Sequence, residues 1–361
     1  MTQLTVGLIT APRATGDQRL PLHPQHLARL ETGISSQLYV ETGYGTAFGV
    51  TDDHLAHVCG GICTREEIFS ECDVILVHQA APQDLTDLKD GQILWAHPHL
   101  AAHPATPRPP GRRPALLVPP HPPRPDPTPD PTAHQVPAPA HPDAMTGYCS
   151  VTHALAAAGR TGHWGPPLHA AVIGDGAAAQ GAVGALRAQN ITRITRLTTR
   201  FPAPGAPEHT AQLEADDTGT LHAVSTTGHL PLAELLARHD IIVTCLRPPA
   251  DEPLTLLTTG QTAALAPGTL IVDVPAAPGT GLPWARPTTL TRPLRQVAAG
   301  VQYYAVPDSP SYLFNSATWT RSTALLPHLA TVVAGRAHWT APPPGPPGHT
   351  GQTTPGPSPL R

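Results

Sequence analysis

A glycine-rich turn between an apolar strand and a helix is the feature that most restricts how this chain can fold. The segment LHAAVIGDGAAAQGAVGALRAQNI predicts a strand, a turn containing Gly174 and Gly176, and a helix that begins near Ala179. In a G-x-G-x-x-A turn the first glycine makes the bend, the second lets the backbone approach a pyrophosphate, and the alanine lets helix and strand pack closely. The helix N-terminus then faces the anion. We predict that these three residues bind a dinucleotide; the alternative is a turn whose small residues serve packing alone.

The rest of the chain alternates between short apolar runs and amphipathic segments, which predicts βαβ units and parallel sheets in an α/β fold. A length of 361 residues is enough for about two domains. The predicted helices include residues 152–158, 179–189 and 315–334. The predicted strands are residues 4–9, 37–41, 74–78, 93–95, 169–173, 194–198, 241–245, 270–274 and 303–306.

The end of the second strand of the nucleotide-binding unit bears on the choice of cofactor. Folds that bind NAD usually carry an Asp or Glu there, which binds the ribose 2′-hydroxyl. This chain has Thr198, Thr199 and Arg200 instead, and their hydroxyls and guanidinium suit a 2′-phosphate. We therefore predict NADP as the cofactor, with NAD as the alternative. Without that role Arg200 is a solvated surface arginine.

Two proline-rich tracts, residues 103–142 and 342–359, hold about half of the 47 prolines. Because proline lacks a backbone donor and disfavours helix at the preceding residue, we expect neither tract to supply a packed helix or a central strand. The first tract would thus replace the segment that completes the N-terminal sheet. Its composition resembles a wrong reading frame of GC-rich DNA, a hypothesis that the coding DNA can test. The predicted order is an N-terminal domain (1–102), a disordered insert or replaced segment (103–143), an NAD(P)-binding domain (144–306), a helical segment (307–339) and a disordered tail (340–361).

Composition excludes several other classes of protein. A net charge of −4 leaves no basic excess for the phosphates of a nucleic acid. The start MTQLTVGLIT lacks a basic leader and no run approaches the ~18 apolar residues of a membrane span, so we expect a cytoplasmic protein without a membrane partner. Five cysteines, an odd number, indicate reduced thiols. The spacing of His54, His57, Cys59 and Cys63 fits no standard zinc site, so no metal is predicted.

Several segments give the chain a family likeness. The runs VGLITAPRATGDQRLPLHP, VETGYGTAFGVTDDHL and LKDGQILWAHPHLAA, followed by the glycine turn, resemble the alanine dehydrogenase and pyridine-nucleotide transhydrogenase superfamily. The segments GYCSVTHAL, WARPTT and YYAVPDSPSYLFNSATW resemble the branch of the N(5)-(carboxyethyl)ornithine synthases rather than alanine dehydrogenase proper. The likeness covers residues 1–102 and 146–339 and omits both proline-rich tracts.

The resemblance implies two Rossmann-like domains with parallel sheets, of which residues 1–102 form the substrate domain, and a C-terminal helix (307–339) that returns to the N-terminal domain. It also implies NADPH-dependent reductive condensation of pyruvate with an amino-acid amine such as ornithine, in a homo-oligomer. Arg19 matches the family's arginine that clamps the substrate carboxylate, a task suited to a planar guanidinium; otherwise it is a surface arginine. His99 matches the acid/base histidine, with His97 as the alternative.

Two departures from the family pattern bear on activity. The family has a lysine shortly after the strand at residues 74–78, whereas this chain reads HQAAP and has Lys89 as its one lysine. The family also has an acidic residue where this chain has Ala277, and Asp273 is predicted to face a different way. Because losing such a group commonly costs ~10²–10⁴-fold in rate, a catalytically impaired nucleotide-binding homologue is the main alternative. Alanine dehydrogenase proper is a further alternative, disfavoured by Arg200 and by the branch-specific segments.

Overall fold

Two units, each built on its own sheet, make up the part of the chain that the structure describes. The computed structural model describes residues 3–11, 16–80, 82–96, 115–117, 142–199, 209–225, 228–246, 254–277, 281–335 and 338. The first unit takes the described residues within 1–11, 20–121 and 321–361, and the second those within 12–19 and 122–320. The sequence-based domain borders stay predictions.

The first unit contains a six-stranded sheet whose neighbouring strands all run parallel. Its strands, in the spatial order β3-β2-β1-β4-β5-β6, are β1 (Val6–Ile9), β2 (Leu38–Glu41), β3 (Gly61–Cys63), β4 (Val74–Val77), β5 (Ile93–Trp95) and β6 (Ala115–Leu117). Its first helices are α1 (Pro24–Leu27), α2 (Thr32–Ser35), α3 (Asp52–Ala56), α4 (Arg65–Glu71) and α5 (Pro82–Asp87). Strands β1 and β4 are buried along their whole length, as central parallel strands covered on both faces should be.

The second unit contains a nine-stranded, mostly parallel sheet in the order β11-β10-β9-β8-β7-β12-β13-β15-β14. Its strands are β7 (His169–Ile173), β8 (Arg193–Thr198), β9 (Thr210–Ala215), β10 (Leu221–Ser225), β11 (Gly228–Pro231), β12 (Ile241–Thr244), β13 (Leu270–Asp273), β14 (Leu294–Ala298) and β15 (Val301–Tyr304). Its helices are α6 (Pro142–Ala157), α7 (Ala177–Ala188), α8 (Leu232–Leu236) and α9 (Thr259–Ala263), and α10 (Phe314–Ala334) begins in it. Strands β10, β11 and β14 are antiparallel to their neighbours and lie toward the two ends of the sheet.

The structure corrects two expectations about the first proline-rich tract. Strand β6 lies inside the tract and pairs with β5, so this segment does add a sixth strand to the N-terminal sheet. Its three residues include no proline, and it is an edge strand, where missing donors on neighbouring residues are tolerated. Helix α6 begins at Pro142, ten residues before its predicted start. Proline is accepted in a first helical turn because the N–H that it lacks has no partner within the helix.

Helices α6 and α7 pack backbone against backbone. A Cβ added to Gly147 would overlap the carbonyl oxygen of Ala178, and one added to Gly181 would overlap that of Ala144. Two glycines therefore let α6 approach the first turns of α7, which follow the predicted dinucleotide turn. This contact explains why a helix that sequence reasoning began at residue 152 extends further toward the N-terminus.

Helix α10 completes the core of the first unit. Its second half contributes Leu325, Leu329 and Val333 to the same buried cluster as Val6. The backbone N–H of Leu4 donates to the carbonyl of Val333 at 2.8 Å. The C-terminal helix therefore returns to the N-terminal domain, as predicted. Among the described helices, α10 included, none is long and apolar enough to cross a membrane.

Candidate cofactor and substrate site

The glycine turn lies at the carboxyl end of β7. Gly174 has φ +125°, a conformation that residues with a side chain rarely adopt, and its N–H donates to the carbonyl of Leu197 at 2.7 Å. An added Cβ there would lie 3.3 Å from the Cβ of Cys245. Burial raises the pKa of the Cys245 thiol to about 12, and the charge of Asp273 acts in the same direction. The thiol of Cys245 is therefore uncharged and packs against the turn, and it is not a thiolate nucleophile.

Gly176 is the residue before the first turn of α7, and the space beside it is open. A Cβ added to it would meet no atom of the described residues within 4 Å. Gly176 has no side chain to cap this helix end, no described side chain is seen to cap it, and no acidic residue lies in the first turn, so the N–H groups of that turn can bind an anion. Ala179 is fully buried where helix and strand meet. Gly174, Gly176 and Ala179 thus form one turn that fits the pyrophosphate of a dinucleotide.

Sheet topology points to the same location. Strand β7 pairs with β8 on one side and with β12 on the other, so the chain changes direction across the sheet at β7. In open α/β sheets ligands bind beyond the carboxyl ends of the strands at such a switch point. Strand β12 ends beside the turn, where the N–H of Cys245 donates to the carbonyl of Ile173 at 2.8 Å.

The predicted 2′-phosphate residues are described only in part. Thr198 is the last residue of β8 and is buried, whereas Thr199 is exposed. Strand β8 ends next to the glycine turn, since its Leu197 accepts the N–H of Gly174. Arg200 lies outside the described residues, so the choice between NADP and NAD stays a prediction.

Arg19 is buried in a network of ion pairs. Its Nε donates to both carboxylate oxygens of Asp17, at 3.0 and 3.1 Å, and its Nη2 donates to Asp17 at 2.7 Å and to Asp308 at 3.0 Å. The hydroxyl of Ser311 donates to Asp17 at 2.9 Å. Burial alone would raise the pKa of Asp17, but its bonds to Arg19 and the Arg19 charge outweigh burial and lower the pKa. Arg19 therefore has fixed acidic partners, its role as a carboxylate clamp stays a prediction, and the alternative of a solvated surface arginine is excluded because the residue is buried.

Of the other positions that bear on catalysis, the structure describes some and not others. His99 and its alternative His97 lie outside the described residues, so the acid/base role stays a prediction. Gln79, in the HQAAP segment, follows β4, and the lone lysine, Lys89, donates to the carbonyl of Ser70 at 2.8 Å. Ala277 follows β13.

Asp273 lies four residues before Ala277 and does not replace the acidic side chain that the family resemblance implies at that position. It is fully buried at the end of β13 and accepts a hydrogen bond from the hydroxyl of Tyr303 at 2.7 Å. Burial raises the pKa of Tyr303, and the Asp273 charge and hydrogen bond raise it further. The pair therefore keeps the phenol protonated within the core of the second unit.

Sequence reasoning missed the polar partners that line α6. The hydroxyl of Ser150 donates to Ser309 at 2.8 Å, and His153 contacts the hydroxyl of Tyr304 at 3.1 Å and stacks on the ring of Tyr312 at 4.4 Å. All of these pairs join positions more than 150 residues apart, so no local pattern signals them. Asp17 was the exception: it lies two residues before Arg19, and an acidic neighbour at that spacing is a signal that could have been used.

Comparison with known proteins agrees with this fold. Residues 155–341, more than half of the chain, match the family described as alanine dehydrogenase/PNT, C-terminal domain. The chain is 22% identical over 345 residues to a protein named N(5)-(carboxyethyl)ornithine synthase from Lactococcus lactis subsp. lactis, covering 89% of this chain and 93% of that one. A protein of the same name from Clostridium botulinum is 34% identical over 90 residues, a match that spans 27% of that protein's length and 24% of this chain.

Two solved structures share the fold along most of their length. A transhydrogenase from Sinorhizobium meliloti superposes with a TM-score of 0.63 at 17% identity, covering 92% of this chain and 94% of that one. An L-alanine dehydrogenase superposes with a TM-score of 0.61 at 15% identity, covering 91% of this chain and 90% of that one. At these identities the likeness establishes the two-domain Rossmann-like fold and nothing finer.

Proposed function

Because this chain belongs to the alanine dehydrogenase and pyridine-nucleotide transhydrogenase family, we propose that it catalyses a reductive condensation of pyruvate with the amine of an amino acid such as ornithine. Its relatives make it a dehydrogenase-type oxidoreductase. The observation that carries the proposal is the open glycine turn at the switch point of β7. Likeness along 89% of the chain to a protein named N(5)-(carboxyethyl)ornithine synthase supports the choice of substrates.

The cofactor in this proposal is NADPH, with NADH as the alternative. NADPH supplies the hydride when it is bound. Gly176 leaves the space that the pyrophosphate needs, and the N–H groups of the first turn of α7 bind its charge. Thr198, Thr199 and Arg200 would bind the 2′-phosphate beside the end of β8.

The remaining residues act on the substrates. The amine and the 2-oxo acid lose water to form an imine, whose carbon then accepts the hydride and whose nitrogen accepts a proton. In this proposal Arg19 holds a substrate carboxylate and His99 moves the proton, as the family resemblance implies. Both reactants are small polar molecules, which agrees with a chain that has no basic excess for nucleic acid. A homo-oligomer, implied by the same resemblance, can be tested by sedimentation velocity.

Two measurements on the purified protein test this proposal. NADPH affinity is measured by fluorescence titration, and NADPH oxidation is followed at 340 nm with pyruvate and L-ornithine, together and singly. We expect binding, and oxidation only with both substrates, with the condensed amine identified by mass spectrometry. Absence of NADPH binding would refute the cofactor assignment, and faster oxidation of NADH with pyruvate and ammonia would favour alanine dehydrogenase proper.

A second candidate, a catalytically impaired nucleotide-binding homologue, has its own supporting observation. Ala277 carries a methyl group where the family has an acidic side chain, and the segment at Gln79 has no lysine. A methyl group transfers no proton, so we expect turnover well below the usual range of about 1–10³ s⁻¹ even where NADPH binds. Ala277→Asp should raise turnover without changing NADPH affinity. Wild-type turnover within the usual range would contradict the impairment.

A further inference from the structure

A cavity of about 440 Å³ lies in the second unit, at the amino ends of β13 and β15. Gly268, just before β13, and Gly300, just before β15, are among the residues that line it. The glycine turn lies at the carboxyl end of β7 instead. Because β7, β12, β13 and β15 all run parallel, the cavity and the turn lie at opposite ends of these strands. Ligand pockets commonly measure about 300–1,000 Å³, so a small organic molecule fits here.

Arg160 brings a positive charge to this cavity. Its backbone is fixed just after α6, where its N–H donates to the carbonyl of Leu155 at 2.8 Å. Its Nη2 donates to the carbonyl oxygen of Gly268, and its Nη1 lies 3.5 Å from that of Asp240. Both partners are uncharged carbonyls, and Arg160 forms no ion pair with any described residue. A guanidinium has five N–H donors, and these two contacts leave the others available to a ligand.

Two carboxamide side chains lie on one side of the same cavity. Gln296 of β14 and Gln302 of β15 are direct partners across the antiparallel pair, so their side chains are neighbours on one face of the sheet. Neither carboxamide forms a hydrogen bond with a described residue. Each offers a donor and an acceptor. Leu294, two residues before Gln296, lies on that face as well and adds an apolar surface.

The described lining of the cavity carries positive charge and no carboxylate. Its second arginine, Arg295, alternates along β14 with the residues on either side of it, so its side chain lies on the other face of the strand. There its Nη2 donates to the carbonyl of Trp284 at 3.2 Å. Arg160 is therefore the cation whose contacts lie on the cavity side. A planar guanidinium binds a carboxylate through two N–H groups, and the apolar surface of Leu294 suits a short hydrocarbon chain.

We propose that this cavity binds a small organic acid, whose carboxylate is held by Arg160 and whose further polar group is bound by Gln296 and Gln302. An inorganic oxyanion such as phosphate would leave the apolar surface and most of the volume unused. The site uses no residue of the glycine turn. It therefore goes beyond the proposed function and does not depend on it.

A titration of the full, ¹⁵N-labelled chain tests the site without relying on turnover. Three probes are added separately: glutarate, its uncharged diamide glutaramide, and inorganic phosphate. Affinities are taken from the NMR signals of the side-chain amides, with and without saturating NADPH. Glutarate should bind about 10- to 100-fold more tightly than glutaramide, the effect of a charge-assisted hydrogen bond, and more tightly than phosphate. NADPH should leave glutarate affinity unchanged.

Variants of the lining show where glutarate binds. Gln296→Glu places a negative charge in the cavity at an exposed position of an edge strand, and should weaken glutarate binding by about 10-fold or more while the chain stays folded. Arg160→Gln should weaken it similarly, and Arg160→Lys less, because the charge is kept. Gln25→Glu makes the same exchange at an exposed residue of α1 in the first unit and should behave as wild type. Urea unfolding of each variant checks that the fold is kept.

Four results would overturn the assignment. They are no glutarate binding by the wild type, glutaramide or phosphate binding as tightly as glutarate, unchanged glutarate affinity in a folded Gln296→Glu, and displacement of glutarate by NADPH. The last result would place the anion at the glycine turn. Failure of the wild type to bind NADPH counts against the proposed function alone, because glutarate binding is also measured in its absence.

Discussion

Replacing Gly176 by valine should strongly weaken cofactor binding while leaving the fold intact. Gly176 has φ −74° and ψ −177°, extended backbone that any residue adopts. An added Cβ meets no described atom within 4 Å, so the first carbon of the new side chain has room among the described residues. If that space is where the pyrophosphate binds, the valine occupies the position of the ligand.

The two effects differ enough in size to be separated. Valine is a poor residue before a helix, so the substitution should cost about 1 kcal/mol of unfolding free energy at most. Holding the pyrophosphate away from the first turn of α7 removes one or two hydrogen bonds to a charged group, each contributing about 1.5–3 kcal/mol. Cofactor affinity should therefore fall by about 10²–10⁴-fold if two bonds are lost, and about 10-fold or more if one is lost.

The measurement pairs an NADPH titration with urea unfolding of the same samples. Gly184→Val is the control: it makes the same change inside α7, again with no described atom within 4 Å of the new Cβ, but away from the turn. It should bind NADPH as wild type does. Gly174→Ala is a poorer test, because φ +125° strains the backbone of any residue with a side chain. Unchanged NADPH affinity in Gly176→Val, with the fold intact, would refute the placement of the dinucleotide.

Three further predictions concern selectivity, packing and pH. Arg200→Ala should lower NADPH affinity ~10–100-fold and leave NADH affinity nearly unchanged; equal losses for both would mean that the residue does not bind the phosphate. Gly181→Ala should cost about 1–3 kcal/mol in urea unfolding because its Cβ overlaps the Ala144 carbonyl, and wild-type stability would contradict the close packing of α6 and α7. Burial lowers the pKa of His153 and His239 below 6.5, so below that pH the unfolded chain binds protons that the folded chain does not. Stability should therefore fall as pH drops below 6.5, by up to about 1.4 kcal/mol per pH unit for each histidine, and the difference between wild type and His153→Gln in urea unfolding from pH 5 to 8 should track that loss.

The elements that sequence predicted well are those whose signal is local. Strand β7 has the predicted bounds, and β12 and β13 each end one residue earlier than predicted. The glycine turn was also predictable, because its bend, its open side and its helix start are properties of six consecutive residues. Strand β3 was missed because three residues between two helices carry too short an apolar pattern. The antiparallel strands β10, β11 and β14 were missed because their half-buried faces lack the continuous apolar runs of the central strands.

Sequence by itself thus determined the α/β class, the glycine turn and the family, since the signal for each lies in residues that are neighbours along the chain. Tertiary structure decided what those residues contact. It placed β6 in the sheet despite the surrounding prolines, because pairing with β5 depends on three residues and not on the composition of the tract. It also joined Arg19 to Asp308, 289 residues away, and so placed the predicted carboxylate clamp in a network of ion pairs with Asp17 and Asp308. The sequence fixes the amino-acid type at each position. The charges that surround a side chain depend on every group that folding brings within a few ångströms of it.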